Sequence, residues 1–153
     1  MTVKVSIDLN RNFITSADVN TVFSLLSDVP AAVAHFPKVQ ELTDLGDNRF
    51  RWEMEEVNSG GYAVKTIYAC QYAADNDAKM IVWTPVKGEG NGIVSGKWEL
   101  TEIATGTHIS FTTKAELTLP LPRLLKLVAS PIVKLEFTGM VDTYLSNLKE
   151  IWA

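Results

Sequence analysis

Few side chains in this sequence could perform acid–base or nucleophilic chemistry. His35 and His108 are the only histidines, and Cys70 is the only cysteine. General acid–base and nucleophilic catalysis need a base within hydrogen-bonding reach of the proton it takes. Neither histidine is followed by a carboxylate at the third or fourth position, so no metal-ligand spacing is recognisable. We therefore expect no metal site and no cofactor.

These three residues also have simple structural interpretations. His35 falls near the end of a predicted short helix. It is either an acid or base at the mouth of a pocket or, as we favour, a partly exposed residue beside the terminal carbonyl groups. His108 is out of phase with Phe111 on a predicted strand and should face solvent. Cys70 is in phase with Tyr68, and a buried cysteine usually behaves as a small hydrophobic residue.

Acidic residues cluster between positions 53 and 56. Glu53 shares its strand parity with Arg49 and Arg51, which indicates a solvated ladder of charges. Glu56 has the opposite parity. It is either a strand-end carboxylate in water, as we favour, or a carboxylate at a cavity rim, where burial beside Tyr62 would raise its pKa. Glu56 and Tyr62 are thus the first catalytic candidates.

A larger set of aromatic, apolar and hydroxyl-bearing side chains has the parity of the interior. An inward hydroxyl group either bonds to nearby backbone or orients the oxygen atoms of a ligand. Together with several tryptophans, these residues predict an aromatic pocket suited to a planar or isoprenoid ligand. The predicted ligand-binding residues are Trp52, Met54, Tyr62, Thr66, Tyr68, Tyr72, Trp83, Trp98, Phe111, Thr113, Phe137, Val141 and Tyr144, and Thr84 also has inward parity.

A strand and two short helices are predicted at the start of the chain. Apolar and polar residues alternate over residues 3–9, as in a half-buried strand. Thr15 and Ser16 have the side-chain chemistry of a helix N-cap. Asp28 can cap a second short helix, which Pro37 would end because the ring of proline disfavours helical geometry in the preceding residue.

Six further strands are predicted between Lys38 and Leu119. Turn-forming residues interrupt this stretch at five places, residues 46–48, 59–61, 75–77, 88–92 and 105–106. With the first strand they make a seven-stranded antiparallel sheet. A sheet of that size should curve toward a covering element. The predicted class is therefore α+β.

A long C-terminal helix beginning near Pro122 should cover the sheet. Its apolar residues recur at helical spacing, so one stripe is expected to face the sheet. Pro131 should kink the helix or split it into a short and a longer segment. The apolar positions are Leu124, Leu125, Val128, Ile132, Leu135, and then Val133, Phe137, Met140, Val141, Tyr144, Leu148, Ile151 and Trp152.

Residues 117–134 hold more apolar side chains than one buried helix face needs. Some of Leu121, Leu125, Leu127 and Val133 should therefore point outward. Cations rim this segment, which makes it either a mobile gate that docks on a membrane or a protein partner, or ordinary core at the sheet edge. The cations are Arg123, Lys126 and Lys134.

Length, charge and hydropathy limit the class of protein. The 153 residues fit one domain, predicted as 1–153. A net charge of −4 makes nucleic acid an unsuitable partner, because no positive field attracts phosphates. No apolar run approaches the roughly 20 residues that span a bilayer, so we expect no transmembrane segment. The single cysteine favours a reducing compartment, which we take to be the cytoplasm.

The order of strand, two short helices, six-stranded meander and long helix is the helix-grip arrangement. Seven motifs fill this arrangement, at residues 14–19, 22–23, 26–28, 36–39, 81–83, 90–98 and 144–149. In these motifs the chain resembles the START-related (SRPBCC) superfamily of polyketide cyclases and lipid-binding proteins. Within that superfamily it is most similar to the bacterial cyclase/dehydrase-like and carbon-monoxide-dehydrogenase accessory-subunit-like branches. The resemblance implies a cavity between helix and sheet.

Three functional hypotheses follow. The first is binding or carriage of a hydrophobic small molecule, such as a lipid, an isoprenoid or an aromatic polyketide, in a cavity of about 300–1,000 Å³. The second is a polyketide cyclase or dehydrase that uses tyrosines or Glu56 as acid–base groups. The third is an accessory protein that docks on a membrane or a partner.

Overall fold

The computed structural model describes residues 2–59 and 61–153, and leaves out the side chains of Ser59 and Tyr62. Nine strands and three α-helices follow one another along this part of the chain. Their bounds, in order, are β1 Val3–Thr15, α1 Val19–Ser27, α2 Val29–Val33, β2 Val39–Gly46, β3 Arg49–Met54, β4 Val57–Ser59, β5 Tyr62–Val64, β6 Ile67–Asp75, β7 Met80–Pro85, β8 Gly92–Ile103, β9 Gly106–Leu119 and α3 Lys126–Ile151, with a 3-10 helix, Arg123–Leu125, before α3.

Seven strands form one curved antiparallel sheet in the order β1-β9-β8-β7-β6-β3-β2. This confirms the predicted α+β class, the strand number of the sheet and the two short helices. The strands after Lys38 do not form a simple meander, however. Between β3 and β6 the chain leaves the sheet and forms a separate two-stranded hairpin of β4 and β5. Each hairpin strand has only three residues, too few for period-2 alternation to distinguish it from the main sheet.

Aspartates cap both short helices. The Asp18 carboxylate accepts the backbone N–H of Thr21 at 2.8 Å, and the Asp28 carboxylate accepts that of Ala31 at 3.3 Å. The cap at Asp28 was predicted, but the predicted caps at Thr15 and Ser16 were wrong. Thr15 ends β1, and its Oγ1 donates instead to the carbonyl oxygen of Trp152 at 2.8 Å. That bond ties the end of β1 to the end of α3.

Helix α3 crosses the inner face of the sheet and runs through Pro131 without interruption. The predicted split at Pro131 is therefore wrong, and the short segment before α3 is the 3-10 helix. Val141, Tyr144 and Leu148 are buried on the inward face of α3. No helix within the described residues combines the length and the hydropathy that crossing a bilayer requires.

One face of α3 meets the sheet, as expected, and a second set of apolar residues is exposed. Leu124 is 93% and Leu127 88% accessible. Some of four residues were expected to point outward: Leu127 does so, Leu125 is half-buried, and Leu121 and Val133 are buried. A 3.6-residue period identifies the stripes of a helix but does not say which of two stripes meets the sheet. We call the exposed residues Leu124, Leu127, Val128, Ile132 and Leu135 the apolar ridge.

Candidate ligand-binding cavity

An internal space lies between the inner face of the sheet, the two short helices and α3. About 580 Å³ is free of atoms, including the part that opens to solvent, and the centre of a water-sized sphere can reach about 60 Å³ of it. A buried water needs roughly 10–15 Å³ of such reachable space, so there is room for only a few waters. We call this space the aromatic compartment, because most of its sheet-side wall is made of aromatic rings.

Aromatic rings from five strands meet in this wall. Trp52 stacks on Tyr68 with ring centroids 5.4 Å apart, and Trp98 packs against Phe111 at 4.6 Å. Such pairs stabilise a structure by about 0.5–1.5 kcal/mol beyond the effect of buried area. Trp83 also contacts Phe111, at 5.7 Å. The rings therefore support one another and hold a rigid, flat-sided wall.

Gly96 makes room for one of these rings. A Cβ atom at position 96 would lie 2.4 Å from the indole Cζ2 of Trp83 and 2.4 Å from the carbonyl oxygen of Thr112. Trp83 and Gly96 are paired across β7 and β8, so the indole lies across the neighbouring strand. Any larger residue at position 96 would displace the Trp83 ring from the wall.

The tyrosine hydroxyl groups supply most of the polarity of the compartment. The Tyr72 hydroxyl accepts a hydrogen bond from the indole Nε1 of Trp52 at 3.1 Å. Tyr68 and Tyr144 are only 6% and 5% accessible, and among the described residues their hydroxyl groups have no hydrogen-bond partner. Burial raises the pKa of all three tyrosines above the ordinary value of 10.0. Each is therefore a neutral phenol at physiological pH, able to donate a proton in a hydrogen bond but not to act as a base.

Two further polar groups on the wall are already satisfied by backbone. Thr113 donates from Oγ1 to the carbonyl oxygen of Ser95 at 3.0 Å, and Cys70 donates from Sγ to that of Val94 at 3.3 Å. Burial raises the pKa of the Cys70 thiol to about 12. Cys70 is thus the small, inert, buried residue that its strand position indicates.

A second space adjoins the first and is lined mainly by aliphatic side chains. About 460 Å³ is free of atoms there, of which the centre of a water-sized sphere reaches about 40 Å³. Phe36, Tyr68 and Phe137 line both spaces and form the partition between them. We call the second space the aliphatic compartment. Its other lining residues are Met54, Val57, Val64, Thr66, Leu117, Val133, Glu136 and Met140.

Most residues predicted to bind a ligand lie on these two spaces. Met54 and Thr66 line the aliphatic compartment, and the side chain of Tyr62 lies outside the described residues. Their role in ligand binding stays a prediction. The predicted residues on the aromatic compartment are Trp52, Tyr68, Tyr72, Trp83, Trp98, Phe111, Thr113, Phe137, Val141 and Tyr144.

Other candidates lie outside both compartments. Glu56 follows β3 and is exposed, as the strand-end interpretation requires. Thr84 is exposed, so its expected inward parity is wrong, because the neighbouring Trp83 occupies the inner face. His108 is half-buried on the outer face of β9. His35 is also half-buried, and its backbone carbonyl accepts from Asn147 Nδ2 at 2.9 Å.

Sequence reasoning missed the helical side of the aromatic compartment. Leu26, Val29, Ala32 and Val33 come from α1 and α2, and Phe36 follows them. The helical spacing of the apolar residues in α1 predicts that one of its faces is buried, but it cannot predict that this face borders unfilled space. Phe36 follows the end of α2 at Val33, and its ring centroid is 4.8 Å from that of Tyr144.

Solved structures with the same architecture exist, although no protein-family model and no curated protein matches the sequence. A START superfamily protein from Mycobacterium smegmatis superposes with a TM-score of 0.63 at 15% identity, over 95% of this chain and 96% of that one. A protein from Thermus thermophilus gives 0.62 at 19% identity, over 95% and 94%. The Zhui aromatase/cyclase from Streptomyces sp. R1128 gives 0.58 at 13% identity, over 95% and 90%.

The chain has the START-like helix-grip fold. The resemblance inferred from the sequence motifs is thereby confirmed at the level of fold. In this helix-grip structure α3 is the gripped helix, and both compartments lie between it and the sheet. The described residues contain no group of three His, Cys, Asp or Glu side chains that could hold a metal ion.

Proposed function

We propose that this protein binds and carries a hydrophobic small molecule that bears at least one oxygen atom able to accept a hydrogen bond. The observation that supports this most strongly concerns Tyr68 and Tyr144, buried residues that line unfilled space and whose hydroxyl groups have no hydrogen-bond partner among the described residues. A hydroxyl group beside such space can donate a hydrogen bond to an acceptor atom of a ligand. A ligand oxygen between sheet and helix would supply that acceptor.

The walls indicate the remainder of the ligand. Flat aromatic faces from Trp52, Trp83 and Trp98 favour a planar or polyunsaturated group, and no charged side chain lines the aromatic compartment among the described residues. The reachable space is small, so we expect the side chains that separate the compartments to move when a ligand enters. Because Cys70 is the only cysteine, we place this activity in the reducing cytoplasm.

The test is native mass spectrometry of the protein as isolated from cells, followed by titration with 2-naphthol. A retained ligand should appear as a mass increment that disappears on denaturation. Purified protein should bind 2-naphthol with quenching of tryptophan fluorescence. Absence of a mass increment together with absence of quenching at millimolar 2-naphthol would refute the proposal.

A cyclase or dehydrase is the second candidate. The fold is shared with structures described as aromatase/cyclases, among them Zhui and the di-domain StfQ from the steffimycin biosynthetic pathway. The neutral phenols of Tyr68 and Tyr144 could polarise a carbonyl group by donating a hydrogen bond. A base is lacking among the described lining residues of the aromatic compartment, since the pKa of Cys70 is raised and Glu56 is exposed. This favours carriage over catalysis.

Docking on an anionic membrane is a further candidate property, and the apolar ridge supports it. Residues 117–134 include Arg123, Lys126 and Lys134 but no Asp or Glu, a charge of +3 in a chain whose net charge is −4. Three cations beside exposed leucines fit a surface of anionic headgroups above acyl chains. Val133, between Ile132 and Lys134, lines the aliphatic compartment, so this part of α3 separates the compartment from the surface.

A further inference from the structure

We infer that the ligand has two parts, a planar ring with an oxygen atom that occupies the aromatic compartment and an unbranched or isoprenoid aliphatic chain that occupies the aliphatic compartment. This inference rests on the proposed function and specifies its substrate class. It depends on a difference in composition between two adjoining spaces.

The two compartments select different chemistry. Six aromatic residues, Trp52, Tyr72, Trp83, Trp98, Phe111 and Tyr144, line the aromatic compartment alone. Among the described side chains, no aromatic residue lines the aliphatic compartment alone. Apart from the three rings of the partition, its apolar wall consists of valine, leucine and methionine. Methionine adapts its shape to flexible partners, and aliphatic walls offer a ring no stacking surface. A wholly aromatic ligand would not match the aliphatic wall, and a wholly aliphatic ligand would not match the aromatic wall.

The partition between the compartments is thin and made of side chains. Phe36 and Phe137 are both half-buried, and Phe36 is anchored to the sheet only by ring contacts, such as that with Trp52 at 5.3 Å. Tyr68 is the third member, and its hydroxyl group has no hydrogen-bond partner among the described residues. A change of side-chain rotamer at Phe36 or Phe137 would join the spaces without moving the backbone. The ligand oxygen then lies near the junction of ring and chain.

The aliphatic compartment has one charged lining residue among those described. Glu136 lines it and forms an ion pair with Lys38, whose side chain is about half exposed. Lys38 has a positive φ of 60°, so the backbone turns sharply there and directs the side chain back to α3. A chain longer than the compartment would emerge beside this ion pair into water. The chain should therefore have a finite optimum length.

The two-part ligand is tested by measuring the binding of 4-alkylphenols whose chains run from methyl to octyl. The probe for the ring alone is 2-naphthol, and tryptophan fluorescence reports binding. Each methylene group buried should lower Kd about fourfold until the compartment is full, after which Kd should level off. Val133→Phe fills the aliphatic compartment and should abolish this dependence on chain length while leaving the affinity for 2-naphthol within twofold. Val128→Phe, the same change at an exposed position of the same helix, is the matched control and should behave like wild type.

The outcomes separate the two proposals. Equal Kd values for 4-methylphenol and 4-octylphenol, or a chain-length dependence that persists in Val133→Phe, would overturn the two-part ligand while ring binding stands. Absence of binding by 2-naphthol and by every alkylphenol would overturn both. If Val133→Phe loses 2-naphthol binding through misfolding, Met140→Trp, at a half-buried position of the same wall, gives the same comparison.

Discussion

The indole Nε1 of Trp52 donates a hydrogen bond to the hydroxyl oxygen of Tyr72 at 3.1 Å, joining β3 to β6 through side chains above the hydrogen-bonded backbone. This hydrogen bond distinguishes Tyr72 from Tyr68 and Tyr144, whose hydroxyl groups have no partner within the part of the chain that the structure describes. It divides the tyrosines into one that stabilises the wall and two that are available to a ligand.

Tyr72→Phe should therefore lower the free energy of unfolding by about 1–2 kcal/mol, because it leaves the partly buried indole N–H of Trp52 without an acceptor. Urea denaturation followed by circular dichroism measures this. Trp52→Phe removes the donor. In that variant, the further change Tyr72→Phe should lower the free energy of unfolding by markedly less than it does in the wild-type protein. Equal costs in the two backgrounds would show that the hydrogen bond does not contribute.

Tyr144→Phe should affect ligand affinity more than stability, in contrast to Tyr72→Phe. Loss of an unpaired hydroxyl group should leave the free energy of unfolding within about 0.5 kcal/mol of wild type, whereas the affinity for 2-naphthol should fall about three- to tenfold. Naphthalene, which has no oxygen, is the control ligand and should bind both proteins equally. A large loss of stability, or an equal loss for both ligands, would mean that the Tyr144 hydroxyl serves the fold.

The stability of the protein should fall at alkaline pH. The pKa of Cys70 is about 12 in the folded protein against 9.0 ordinarily, so above pH 9 the unfolded chain releases a proton that the folded chain retains. The buried tyrosines, whose pKa values are also raised, act in the same direction above pH 10. The contribution of these groups to the free energy of unfolding is fully present below pH 9 and is lost progressively as the pH rises toward 12.

Cys70→Ala isolates the contribution of the thiol. Between pH 9 and pH 10 the free energy of unfolding of the variant should decline less steeply than that of wild type, by about 1 kcal/mol per pH unit. Urea denaturation at intervals of half a pH unit gives both slopes, and contributions from all other groups are common to the two proteins and cancel. Parallel slopes would show that the thiol is accessible to water.

His35→Ala and His108→Ala should leave ligand affinity and stability nearly unchanged. Neither imidazole lines a compartment, and the contact of His35 with Asn147 uses its backbone carbonyl, which the substitution retains. Titration with 2-naphthol and urea denaturation provide the test. A tenfold loss of affinity in either variant, about 1.4 kcal/mol, would identify a role for that histidine.

Leu124→Ser/Leu127→Ser should weaken sedimentation with phosphatidylserine-containing vesicles at least tenfold, because each leucine transferred from water contributes about 1.5–3 kcal/mol. Ile14→Ser/Ile93→Ser removes two exposed apolar residues from the outer sheet face and is the matched control. Wild type should bind neutral phosphatidylcholine vesicles more weakly. If wild-type protein stays in the supernatant with both lipids, the apolar ridge has another role.

Strand faces were predictable from sequence because period 2 leaves only two alternatives. Val3, Val5 and Ile7 in β1, and Phe50 and Trp52 in β3, are buried as their parity requires. The β4–β5 hairpin was not predictable, since three-residue strands carry no periodicity. The covered face of α3 was not predictable, because the long helix carries apolar residues on two faces and only the tertiary structure decides which face is covered.

The candidate site was predictable on its sheet side and along α3, but not on the side formed by α1 and α2. Inward parity identified Trp83 and Trp98, and helical spacing identified Phe137. Neither period says whether the facing space is filled, so the division into two compartments at Phe36 and Phe137 had no sequence signal. The unpaired state of the Tyr144 hydroxyl was likewise undetectable, because it depends on which groups other elements bring within reach.

The pairing of β1 with β9 determines at which stage of folding the cavity can form. Val3 lies opposite Leu119, 116 positions later in the chain (119 − 3), and the pairing continues to Thr15 and Thr107. Contacts between such distant positions slow folding, because a long loop must close before they stabilise the chain. During synthesis β1 must wait, unpaired, for β9 to emerge, and α3 follows later still. The pocket is thus enclosed in the final stage of folding, and a hydrophobic molecule present at the ribosome could be incorporated as the chain folds around it.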